Sequence, residues 1–161
     1  MLPFRKILSP TDFSGPSFEA LACAKELALH FGAELVIAHA IPQLPTLVSA
    51  EQMGTPMGVP FRLSLDDYVR QLEVEARETL DSLVRERIPP EVRTRVLVFT
   101  GEPAAKIIEC ARDEHADVIV MATHGRSGLE RLFMGSVAER VVRLADCPVL
   151  TIRVRGRQQE E

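Results

Sequence analysis

Asp117-Val118-Ile119-Val120-Met121-Ala122-Thr123-His124-Gly125-Arg126-Ser127-Gly128, closed by Gly135-Ser136, is the stretch that decides how this chain folds. Its first half has the length and β-branched content of a buried strand, and an amphipathic helical pattern begins at Ser136. A strand, a glycine-bearing turn and a helix start, in that order, build an anion site. Glycine lets backbone N–H groups approach a phosphate, and the helix start adds positive dipole and donors without intrahelical partners. The pattern therefore predicts nucleotide binding first, and chemistry on the nucleotide only second.

Working outward, short apolar runs alternate with longer helical patterns, the order expected of an α/β domain with a parallel sheet. Strands are expected at Phe4–Ser9, Glu34–Ala40, Arg93–Phe99, Asp117–Ala122 and Pro148–Val154, with helices near Pro16–Phe31, Leu65–Arg87, Pro103–Glu114 and Ser136–Ala145. Ser14-Gly15-Pro16 opens the first helix and Gly32 closes it. In the second helix Leu65, Val69, Leu72, Ala76, Leu80 and Leu83 make one apolar stripe, and Ser64 with Asp67 resembles a capping box. Gly101-Glu102-Pro103 turns the third strand into the third helix. Val92–Val98 alternates in polarity, which suits an edge strand with one wet face. Residues 42–64, rich in proline and glycine, read either as a lid or dimer contact or as a variable surface excursion.

The totals narrow the classes. A chain of 161 residues with 46% hydrophobic and 26% charged content fits one globular domain, taken as 1–154 with a polar tail at 155–161. A net charge of −4 and the absence of tryptophan argue against nucleic-acid binding, which needs a basic face or stacking platforms. Arg85, Arg87, Arg93 and Arg95 are interspersed with acids, as on a solvated face. Cys23, Cys110 and Cys147 have no metal-site spacing and read as reduced thiols, Cys23 and Cys110 as small core residues. The N-terminus lacks a signal-peptide h-region and no apolar run is long enough to span a membrane, so a cytoplasmic location without membrane association is expected.

The site should lie at the carboxyl ends of the strands, where the loops after the first and fourth strands face one ligand if those strands are neighbours. Asp12 would then meet an adenine amine or ribose hydroxyl, while Gly125, Gly135 and Ser136 cradle phosphates. Neither a P-loop lysine nor Gly-x-Gly-x-x-Gly is present, and Arg126 and Arg131 are the cations near the turn. Asp12 reads as a ligand-hydroxyl or metal contact, or as the cap of the first helix. His124 reads as a phosphate contact or an ordinary turn residue, His39 as a core or site-wall residue, and Ser136 as a helix cap beside the anion.

At these positions the chain resembles the universal stress proteins. Their Gly-x2-Gly-x9-Gly-Ser/Thr pattern is matched by Ala122-x2-Gly125-x9-Gly135-Ser136, with alanine at the first glycine. Ile7-Leu8-Ser9-Pro10-Thr11-Asp12-Phe13-Ser14, Gly135-Ser136-Val137-Ala138-Glu139-Arg140-Val141-Val142 and Cys147-Pro148-Val149-Leu150-Thr151-Ile152 carry the likeness through most of the chain. The resemblance implies a five-stranded parallel sheet of order 3-2-1-4-5 with helices on both faces, and a homodimer paired through the last strand. It implies ATP, with AMP or ADP as alternatives, accompanied by Mg2+. The matching contacts are Pro10, Thr11, Asp12, Ala40, Met121, Ala122, Gly125, Gly135, Ser136 and Val137, to which Arg126 is added as a cation near the turn. Ala122 keeps its N–H, and is tolerated at negative φ but strained at positive φ.

The functional expectation is a nucleotide-responsive regulatory homodimer in stress response. A slow ATP hydrolase using Asp12 or His124 to position water, and a nucleotide-free dimeric interaction module, are the alternatives. No base–nucleophile pair or lysine clamp is visible, which weighs against an efficient enzyme.

Overall fold

Strand β1 (Lys6–Pro10) buries residues on both of its faces, as a strand at the middle of a parallel sheet must when helices cover both sides. The computed structural model describes residues 2–42, 65–123 and 134–153. Their elements run β1, α1 (Gly15–Phe31), β2 (Glu34–Ile41), α2 (Leu65–Arg87), β3 (Thr94–Thr100), α3 (Pro103–Asp113), β4 (Val118–Ala122), α4 (Ser136–Leu144) and β5 (Val149–Ile152). The sheet order is β3-β2-β1-β4-β5, every pair parallel. This is the 3-2-1-4-5 arrangement that the resemblance implies, and β3 takes the edge position its alternation predicts.

Period-two alternation divides the core into two layers. Ile7, Leu35, Ile37, Val118 and Val120 face Leu21 and Ala24 of α1 and Leu80 and Leu83 of α2. On the opposite face Leu8, Val36, Ala38, Ile119 and Met121 pack with Ile107 and Cys110 of α3 and Ala138 and Val141 of α4. Cys110 is the core residue expected, whereas Cys23 is only half-buried on the flank of the first layer. Its helical spacing gave α1 membership correctly, but the thiol sits at the edge of the apolar stripe.

Helix ends follow local chemistry. Ser14 caps α1 by accepting from Ser17 N–H, and Gly32 closes it at φ 64°, a left-handed position that favours glycine. Glu102 caps α3 through both carboxylate oxygens. The cap of α4 is Gly135, at φ −61° and ψ 149°. Ser136 is therefore the first helical residue and not the cap expected of it, because the extended cap geometry already falls at Gly135. The residues 43–64 and 154–161, and with them Ser64 of the expected capping box, lie outside the described residues.

At the amino ends of the strands a charged cluster closes the sheet. Asp117 accepts from Arg5 N–H at 2.6 Å and Lys6 N–H at 2.8 Å. Lys6 pairs with Glu114 at 3.0 Å, and Arg95 joins Glu34 at 3.1 Å and Glu114. Among the described residues no helix is long and apolar enough to cross a membrane, and no acid, histidine or cysteine cluster could hold a metal ion.

Candidate functional site

The opposite, carboxyl end of the sheet is open. Chain direction parts there: α1 leaves β1 toward one face of the sheet and α4 follows β4 on the other. Such a parting between neighbouring parallel strands leaves a crevice. A cavity of about 320 Å³ fills it, within the range of small-ligand sites. Pro10 lines it from the end of β1, Thr11 and Asp12 from the loop that follows, Ala40 from β2, Met121 and Ala122 from β4, and Gly135, Ser136 and Val137 from the start of α4. Gly125 and Arg126, together with His124 and Arg131, lie outside the described residues.

The β1–α1 loop is held by a hydroxyl network whose proton directions can be worked out. Ser17 Oγ–H donates to the Ser14 carbonyl at 2.9 Å, so its bond with Thr11 Oγ1 must be donated by threonine. Thr11 Oγ1 in turn accepts from Phe13 N–H at 3.0 Å. Ser14 donates its N–H at 3.1 Å and its Oγ–H at 2.5 Å to the same oxygen of Asp12, Oδ1. Asp12 is therefore not the cap read as one possibility for it, because Ser14 already holds the extended cap position; Asp12 braces that cap while lining the cavity.

Across the cavity, the start of α4 is held against β4. Gly135 N–H donates to the Thr123 carbonyl at 2.7 Å, and Thr123 N–H donates to the Ile152 carbonyl at 3.0 Å. With glycine at the cap, the cap residue has no side chain to accept from the first turn of α4. Its N–H groups face the crevice without intrahelical partners. The start of α3 differs, although Pro103 and Ile107 also line the cavity. There Glu102 Oε1 accepts from Ala104 N–H at 3.1 Å and Oε2 from Ala105 N–H at 2.8 Å, while Arg140 Nη1 lies 3.0 Å from Oε2. The starts of α3 and α4 both reach this cavity, and of the two only that of α3 has a carboxylate cap.

Ala122 ends β4, and the positive-φ non-glycine residues among those described are Phe13 and His115. Alanine therefore sits in ordinary extended backbone, and the strain considered for it does not arise. No lysine or arginine lines the cavity among the described residues. The thiols stand apart from it, and burial, followed by the Glu114 and Asp113 charges, pushes Cys110 up to about 12.

Residues 3–153 match the Universal stress protein family. The chain belongs to that family. Universal stress protein MJ0531 of Methanocaldococcus jannaschii is 35% identical over 150 residues, covering 93% of this chain and 82% of the relative. The solved structure of protein MJ0577 from the same organism superposes with a TM-score of 0.76 at 26% identity, covering 94% of this chain and 97% of that one. A universal stress protein from Archaeoglobus fulgidus, solved in complex with dAMP, shares the fold at 22% identity and a TM-score of 0.59, covering 94% and 98%.

In this universal stress protein the cavity also takes in Ser17, His39, Pro103, Ile107 and Thr123, which the motif does not include. Gly101-Glu102-Pro103 was the available signal for α3, since a helix opening directly after a parallel strand starts at the carboxyl end of the sheet. Ser17 carried no signal of its own, because its place depends on the first turn of α1 folding back over Thr11.

Proposed function

We propose that this chain is an ATP-binding universal stress protein that works as a nucleotide-responsive regulatory homodimer. The observation that carries the proposal is the uncapped start of α4 facing the braced Asp12 carboxylate across one cavity. An anion is favoured at the first and a hydroxyl or amine donor at the second. In this arrangement the adenosine lies toward Asp12 and Ala40, and the phosphates lie toward Gly135, Ser136 and Val137. The dAMP complex of a fold neighbour supports an adenine nucleotide as the ligand class.

Mg2+ suits the same site. No cation is among the described lining residues, and the helix dipole, the N–H groups and a metal carried in on the phosphates would each offset phosphate charge there. The hydrolase alternative asks Asp12 or His124 to position water, and the described residues add no base–nucleophile pair or lysine clamp to either.

Dimerisation through β5 is part of the proposal. β5 is a four-residue edge strand, and Leu150 on it and Val142 and Leu144 beside it are exposed. Among the described residues no strand pairs with the outer side of β5, and an apolar sheet edge invites strand pairing with a second copy. Three free thiols suit a reducing cytoplasm, and 1–154 acts as one domain.

Calorimetric titration with ATP and Mg2+ tests the nucleotide, and light scattering after size exclusion tests the dimer. Saturable binding of one nucleotide per chain is expected. An absence of heat with ATP, ADP and AMP alike would leave a dimeric interaction module as the better account.

A further inference from the structure

We infer that His39 is the positioning residue for the Asp12 carboxylate, acting as an Nδ1–H donor to the Thr11 carbonyl and as the surface on which Phe13 rests. The inference deepens the nucleotide reading and rests on it for its ligand.

His39 Nδ1 lies 2.8 Å from the Thr11 carbonyl oxygen. A carbonyl only accepts, so the hydrogen is on Nδ1, and this bond fixes the tautomer of the neutral ring. Thr11 N–H donates to the carbonyl of Ala38, also at 2.8 Å. Successive residues of β2 thus hold the peptides on the two sides of Thr11, Ala38 the one before it and His39 the one leading into Asp12.

The next residue turns the chain. Phe13 has φ 62°, a left-handed conformation that a residue with a Cβ adopts only when its surroundings hold it there. Its N–H is taken by Thr11 Oγ1, and its ring centroid lies 4.4 Å from that of His39 at 35°. Only after this reversal do Ser14 N–H and Oγ–H arrive at Asp12 Oδ1. His39 therefore orients Asp12 at one remove, by fixing the peptide before it and the residue after it.

The test compares His39→Leu, which keeps bulk without a donor, with His39→Asn, whose amide nitrogen can take the place of Nδ1. In ligand-free protein, 15N-edited spectra of the imidazole are expected to report the Nδ1–H tautomer. The Ser14 backbone amide, which reads the bond to Asp12, should shift in His39→Leu and return toward its native position in His39→Asn. With ligand, His39→Leu should weaken adenosine and ATP by the same factor, about tenfold for one lost hydrogen bond, and His39→Asn should recover most of it. Equal loss on both ligands marks the nucleoside end, and recovery by asparagine separates donation from general packing. An Nε2–H tautomer, an unmoved Ser14 amide in His39→Leu, or an asparagine variant as impaired as the leucine variant would each overturn the inference. If the native chain binds neither ligand, the nucleotide reading fails, while the tautomer and the Ser14 amide still decide the positioning role.

Discussion

Helices α3 and α4 both begin at the rim of the same cavity, and they begin in opposite ways. Glu102 gives α3 a carboxylate cap that takes two N–H groups and holds Arg140. Gly135 gives α4 a cap without a side chain. A carboxylate satisfies the donors and dipole of a helix start permanently, whereas glycine leaves them to be satisfied by something that comes and goes. The α3 start is thus a structural end, and the α4 start has the form of a binding end. The same sheet supports both, so the difference lies in one residue at each cap.

The sharpest way to break the contrast is to give α4 the cap that α3 has. Gly135→Asp places an acid at φ −61° and ψ 149°, which a capping aspartate adopts without strain. It should reduce ATP affinity by on the order of a hundredfold or more, through charge repulsion and occupied donors. Stability should stay level or rise by a few tenths of a kcal/mol, since Asp is a better cap than Gly. Calorimetry alongside thermal unfolding checks both. Loss of binding together with loss of fold would mean that Gly135 is needed for packing instead.

The contrast was only half legible in the sequence. Gly135-Ser136 could be read as a helix start beside a phosphate, and Ser14-Gly15-Pro16 and Gly32 bounded α1, because caps are written in adjacent residues. Which atom caps α4 could not be read, since Ser136 is as good a cap as Gly135 until the backbone angles are known. The role of Glu102 was hidden for another reason: glutamate is not among the favoured capping residues, so Gly101-Glu102-Pro103 marked the helix start without marking the side chain that caps it. His39 was legible as a core or site-wall residue but not by its bond, as its partner Thr11 lies in the loop after another strand. Strand ends shifted by one or two residues, as at β1, where Pro10 stays in register with Ala38 because its carbonyl and its buried ring suit the sheet even without an N–H.

Removing the α3 carboxylate approaches the contrast from the other side. Glu102→Ala should cost about 1 kcal/mol, the value of a helix cap. The Arg140 pair adds little, because both side chains are 48% exposed. The thermal midpoint should fall by roughly 2–4 °C for a chain of this size. ATP should bind a few-fold more tightly at low salt, with an acid gone from the rim and Arg140 released, and the gain should fade as salt is raised. Weaker ATP binding would assign Glu102 to the ligand and dissolve the distinction between the two helix starts.

A smaller effect is expected at Ala122, the position where the family pattern has glycine. Because Ala122 is in a strand without positive φ, Ala122→Gly should leave ATP affinity within about threefold. It should lower stability by about 0.5–1 kcal/mol through added backbone freedom. A large gain in affinity would mean that the alanine methyl, and not the backbone conformation, limits the site.

The far end of α3 sharpens the contrast once more, and with the smallest effect. Glu114 caps its C-terminus, where the helix dipole disfavours a negative charge. Partial burial acts in the same direction, yet bonds from Lys6 and Arg95 outweigh it and hold the carboxyl below the ordinary value of 4.5. A carboxyl depressed in the folded state contributes stability above its unfolded pKa and loses it as pH falls through the folded value. Glu114→Gln should therefore flatten the decline in stability below about pH 4.5, as followed by urea unfolding across an acid series. Glu114 lies at the amino end of the sheet among Lys6, Glu34 and Arg95, so ATP affinity at neutral pH should not move. An affinity that did move would couple the two ends of α3, and its start would then have to be counted as part of the binding machinery.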